Sequence, residues 1–96
     1  MEYDITKIDA YFDKREREVA DDVLQQNALK YLKDRVDEMI LGFQDGREID
    51  IPMAIDILVS NARCKLKRMS NAYGFDGYSL VQLAKEANRF KERVLV

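Results

Sequence analysis

The sequence predicts an all-α fold, a small bundle of three to four helices over about residues 5–17, 18–44, 52–72 and 79–95. Three observations carry this. Apolar residues recur every three or four positions through most of the chain. Helix breakers are scarce, with one proline and four glycines in 96 residues, too few for an all-β sandwich with its many turns. Hydrophobic residues make up 47% and charged residues 35%, the balance of a globular chain rather than a disordered one. A chain this short builds one core, so residues 1–96 are expected to form a single domain. No repeat or low-complexity segment is visible.

Three punctuation marks divide the chain: QDGREID at 44–50, Pro52, and AYGFDGYS at 72–79. Ahead of the first, Thr6 is a candidate N-cap with Asp9 three residues on. The apolar row then runs Ile5, Ile8, Phe12, a gap, Val19 and Val23. A second row follows, Leu24, Ala28, Leu32, Val36, Met39 or Ile40, and Phe43. The gap, DKRERE at 13–18, holds no breaker, and Asp13–Arg17 and Arg17–Asp21 could support an exposed helix across it. Two structures fit residues 5–44: one long bent helix, or two helices broken near residue 17. The change of apolar face at the gap favours a break or a bend. Gly46 supplies a left-handed stop.

The next helix begins near Asp50–Pro52, with Asp a preferred cap and Pro tolerated in a first turn. Its main stripe is Ile51, Ile55, Leu58, Ala62, Leu66, Met69 and Tyr73, and Met53, Ile57 and Cys64 form a second. A helix apolar nearly all round is expected at the centre of a bundle or at an oligomer interface. The last helix opens on Ser79 and Gln82, a capping box, with Tyr78 placed to staple onto Leu83. Its stripe is Leu80, Leu83, Ala84, Ala87, Phe90 and Val94.

Composition removes several chemistries. With no histidine there is no imidazole base, no HExxH zinc site and no Glu-x-x-His di-iron site. Cys64 lacks such a partner and, lying on an apolar row, is expected to be a core thiol. No phosphate-binding glycine loop occurs. Asp34, Asp37 and Glu38 could contribute to a Mg²⁺ site, but the other helices offer few carboxylates to face them. A solvated row paired with Lys30, Lys33 and Arg35 is the ordinary reading. Neither an enzyme, a metal nor a cofactor is expected. The acidic MEYDITKID terminus is no secretory signal, no window is long and apolar enough to span a bilayer, and a single cysteine suits a reducing compartment. The expected location is cytoplasmic, away from membranes.

Charge is uneven. Residues 1–50 hold 14 acidic and 8 basic side chains, net −6, and residues 51–96 hold 4 and 8, net +4. Complementary halves lying side by side explain this, as does a basic half that meets an anionic partner.

What remains is binding. The first reading is a non-enzymatic protein-binding module that self-associates as a homodimer or occupies a partner protein, a role compatible with a phage or mobile-element accessory protein. Its interface residues are expected to be Tyr3, Ile8, Tyr11 and Phe12 on the N-terminal arm, and Met53 and Ile57 on the third helix. The alternative is a DNA-binding helix-turn-helix at 66–85, turning at Gly74 with Phe75 as its plug. There Lys65, Lys67, Arg68 and Arg89 would meet phosphates, and Tyr78, Gln82 and Lys85 would face the groove. Ser70 where a small apolar residue packs, Gly77 in a first helical turn, and the later start marked by Ser79 all weaken it. A third candidate, an anion or RNA site on Lys85, Arg89 and Arg93, is balanced by Glu86 and Glu92 on the same helix.

Overall fold

Aspartate side chains cap the starts of the first three helices. The computed structural model describes residues 3–69 and 80–95, with side chains for all of these except 65–69. Four helices are present among them: α1 (Ile5–Glu18), α2 (Val23–Gln44), α3 (Ile51–Met69) and α4 (Leu80–Val94). There is no strand among the described residues, and the all-α bundle expected from the sequence is what the chain forms. None of these helices is long and apolar enough to cross a membrane.

The cap of α1 is Asp4, whose carboxylate accepts the Lys7 N–H at 3.1 Å. Thr6, the expected cap, lies inside the helix instead. A carboxylate two residues earlier both satisfies a free N–H and faces the positive end of the helix dipole, which a threonine hydroxyl does not. The break between the first two helices exists, and it falls at residues 19–22. Val19 closes α1 through its N–H to the Arg15 carbonyl. Asp22 then caps α2, accepting the Gln25 N–H at 3.1 Å and the Gln25 side-chain amide at 2.7 Å. That backbone bond is the main reason the Asp22 carboxyl sits below the usual carboxylate range.

The chain reverses at this break, so α1 lies antiparallel to α2. Glu16 meets Lys33 at 3.1 Å near one end of the pair, and the Tyr3 ring meets Phe43 edge-on at 5.4 Å near the other. At the C-terminus of α2, Gly46 (φ +89°) takes the left-handed turn expected of it. Its N–H bonds the Phe43 carbonyl and the Arg47 N–H bonds the Gly42 carbonyl, both at 3.1 Å, which together make a Schellman stop. Gly46→Ala is expected to cost about 1 kcal/mol, because a Cβ is disfavoured at positive φ. Urea denaturation checks this, and an unchanged midpoint would show that the turn tolerates a side chain.

Asp50 caps α3 by accepting the Met53 N–H at 3.1 Å. The Tyr3 hydroxyl accepts the Ile51 N–H at 3.1 Å, so the segment just ahead of α1 is tied to the start of α3. Behind these caps the core closes around Phe12, Phe90, Leu32, Leu83, Ile51 and Ile55, all essentially inaccessible to solvent. Helices α2 and α4 each touch every other helix, whereas α1 and α3 do not meet. The expectation of a central third helix therefore gives way. The centre is α2 with α4, and α3 lies on the outside.

Candidate protein-interaction surface and the buried cluster behind it

Placing α3 at the side of the bundle leaves one of its two apolar stripes without a partner. The inner stripe is consumed: Ile51 and Ile55 are 0% exposed and Ala62 is 2% exposed. The outer stripe is open, with Met53 58% and Ile57 54% exposed, and with Ser60 and Cys64 exposed along the same line. A helix turns about 100° per residue, which puts 53, 57, 60 and 64 within about 60° of one another on the side opposite the inner stripe. Cys64 is thus corrected from core thiol to surface thiol, because it continues the Met53–Ile57 row and not the Ile51–Ile55 row.

The N-terminal arm does not share this exposure. Ile8, Tyr11 and Phe12, expected at an interface, are buried in the chain's own core. The reversal at 19–22 lays α1 along α2 and α4, where Phe12 stacks on Phe90 at 5.3 Å and Tyr11 tilts against the same ring at 5.4 Å. Tyr3 is half-buried and engaged at the α3 cap. Of six expected interface residues, Met53 and Ile57 are the ones on an open surface. In the C-terminal tail, Val94 and Leu95 also pack against the core.

Of the residues of the nucleic-acid alternative, Gln82, Lys85 and Arg89 are the ones with described side chains. The side chains of Lys65, Lys67 and Arg68, along with Tyr78 and the Gly74–Phe75 turn, lie outside the described residues. Gln82 is half-buried and Lys85 exposed. Arg89 is committed to Glu86 through a 3.1 Å ion pair, so it is no free phosphate contact. Among the described residues an ion pair joins the two halves of the chain, from Arg15 in the acidic half to Glu86 in the basic half.

That pair anchors a buried polar cluster that pattern reading missed. Glu86 is 2% exposed and Arg15 7% exposed. The Arg15 Nη2 donates to Glu86 Oε1 at 2.9 Å and its Nε to Oε2 at 3.2 Å, a bidentate clasp between α1 and α4. Arg89 Nη1 adds a donor to Oε1 at 3.1 Å, and the Tyr11 hydroxyl donates to Oε2. Arg15 Nη2 also reaches Gln25 Oε1 at 3.3 Å, which links the cluster to the α2 cap at Asp22. A signal was present in the sequence. Arg15 stands between Phe12 and Val19, and Glu86 between Leu83 and Phe90, each at core spacing on an apolar row. Opposite charges set into two apolar stripes are the mark of a buried pair.

Burial first, and then the hydrogen bond to the Glu86 carboxylate, push the Tyr11 phenol well above its ordinary value of 10.0. The hydrogen bond to Glu86 likewise raises Arg15. Because folded Tyr11 holds its proton more tightly than unfolded Tyr11, its contribution is full below pH about 10 and is lost progressively above it. Tyr11→Phe is expected to cost about 1–2 kcal/mol at neutral pH and to flatten the alkaline loss of stability. Denaturation midpoints at neutral pH and above pH about 10 check both, and an unchanged alkaline slope would assign that slope to another group.

On α2, the carboxylate row makes an ordinary solvated face. Arg35 pairs with Glu38 at 3.1 Å, and Lys33 reaches across to Glu16 rather than along its own helix. Partial desolvation raises the Asp37 carboxyl despite the nearby Lys33. Among the described residues no cluster of three metal-ligating side chains occurs. Comparison with known protein families, with curated proteins and with solved structures finds no match to this chain.

Proposed function

We propose that this chain is a non-enzymatic protein-binding module that self-associates through the outward face of α3. The observation that supports it is the pair Met53 and Ile57, two large apolar side chains more than half exposed, one turn apart, on the side of a capped helix facing away from the core. Scattered exposed apolar residues are ordinary on a protein surface. An aligned row opposite a fully used inner stripe is a different matter, since it gives a flat ridge that a partner can cover continuously.

The energetics are modest and reversible. Covering the remaining exposed area of Met53 and Ile57 on two copies removes four half-exposed side chains from water, at about 1 kcal/mol each. That total of about 4 kcal/mol only matches the low end of the cost of association, so a dimer needs the rest of the α3 seam and its flanking charges to contribute as well. The buried Glu86 cluster serves the same role indirectly, by fixing α1 against α4 and keeping the core closed behind α3.

A dilution series followed by amide NMR tests the reading. Concentration-dependent shifts are expected at residues 53, 57, 60 and 64, with little change on α1 or α2. A spectrum that does not vary with concentration, with relaxation rates of a monomer throughout, overturns self-association.

A further inference from the structure

Resting on that reading, we propose a specific partner and geometry: the outward face of α3 is covered by α3 of a second copy, packed antiparallel about a two-fold axis passing between positions 57 and 60. The row Met53, Ile57, Ser60, Cys64 advances by four, three and four residues, the spacing of a coiled-coil seam. An antiparallel two-fold pairs Met53 with Cys64 of the partner subunit and Ile57 with Ser60 of the partner subunit. Each layer then sets a large side chain against a small one, the arrangement that lets facing helices interdigitate. A parallel pair instead stacks Met53 on Met53 and Ser60 on Ser60, leaving two hydroxyls facing each other in the seam.

Charge selects the same geometry. Asp56 and Arg63, both exposed, lie two turns apart on the same flank of the row. This is the flank facing α4, because Lys91 of that helix reaches Asp56. The opposite flank carries Ala54 and Asn61, which are uncharged. In an antiparallel two-fold, like flanks face each other and the chain directions oppose. Asp56 therefore meets Arg63 of the partner subunit, and the symmetry makes the contact twice. A parallel pair sets each flank against the other one, so that Asp56 faces Asn61 and both ion pairs are forgone. Complementary charges at the rim of an apolar seam are a device for fixing register.

The test uses the native surface thiol. Met53→Cys places a second thiol on the seam, and mild oxidation should give a covalent dimer joined between position 53 of one chain and Cys64 of the other. The same linkage cannot form within one chain, because eleven helical residues separate the two positions by about 16 Å, well beyond the roughly 7 Å limit for a disulfide. Peptide mapping by mass spectrometry identifies the joined positions, and the wild-type protein, with Cys64 alone, should stay uncrosslinked. Linkages of 53 to 53 or of 64 to 64 would mean a parallel pair or a different register, and either overturns the proposal. Concentration-dependent NMR shifts without any crosslink leave self-association standing but place it in another geometry. A monomer by both measurements removes both. An independent check is charge reversal at exposed positions: Asp56→Arg and Arg63→Asp should each weaken the dimer about tenfold, and the two together should restore it. Losses that simply add would contradict the Asp56–Arg63 contact.

Discussion

Replacing Glu86 with alanine is expected to destabilise the fold by about 3–5 kcal/mol, a large part of the total for a chain of this size. The reason lies in what stays behind. Arg15 is nearly inaccessible and donates its closest hydrogen bonds to Glu86, at 2.9 and 3.2 Å. Without that carboxylate it is a cation in an apolar surround that keeps, among the described residues, Gln25 and the exposed Glu18 in reach. The Tyr11 hydroxyl loses its acceptor as well, at a cost of about 1–3 kcal/mol for an unsatisfied buried donor.

A double replacement separates pairing from packing. Made in a Tyr11→Phe background, so that no buried hydroxyl is left without its acceptor, Arg15→Met with Glu86→Leu removes both charges and keeps the volume, and should return stability to within about 1–2 kcal/mol of that parent, or above it. Urea denaturation of the two single variants and the double variant gives the coupling directly. Additive losses would mean that the ion pair is incidental to the packing of α1 on α4.

The second large effect concerns association. Met53→Asp combined with Ile57→Asp should leave folding stability within about 0.5 kcal/mol per site, as exposed positions away from caps generally do. The same double variant should weaken self-association by a hundredfold or more. Four carboxylates brought into the seam of a dimer meet neither a cation nor water enough to solvate them, and like charges oppose one another across the axis. A destabilised fold in this variant would show instead that the outer stripe of α3 contributes to the core.

Much of the architecture was legible because capping and periodicity are local. The Gly46 stop and the Asp50 cap depend on a few neighbouring residues, and both lie where the pattern put them. The start of α1 was misplaced because two capping residues, Asp4 and Thr6, stand within one turn, and only geometry shows which one holds an N–H. The site was harder to read, since exposure is a tertiary property. Periodicity found both apolar stripes on α3, but it could not tell which one the bundle would use. The arm was misassigned for the same reason: Ile8, Tyr11 and Phe12 look like surplus apolar surface until the turn at 19–22 folds them onto Phe90. Arg15 and Glu86 are 71 positions apart, and nothing local joins them.

Solution mass measured by sedimentation, across concentrations from sub-micromolar to high micromolar, for the wild type beside the Met53→Asp/Ile57→Asp double variant tests the outward face of α3 most directly. The account predicts a wild-type mass that rises toward a dimer with concentration and a folded double variant that stays monomeric over the same range. A wild type that remains monomeric throughout, or a double variant that dimerises as readily as the wild type, would contradict it.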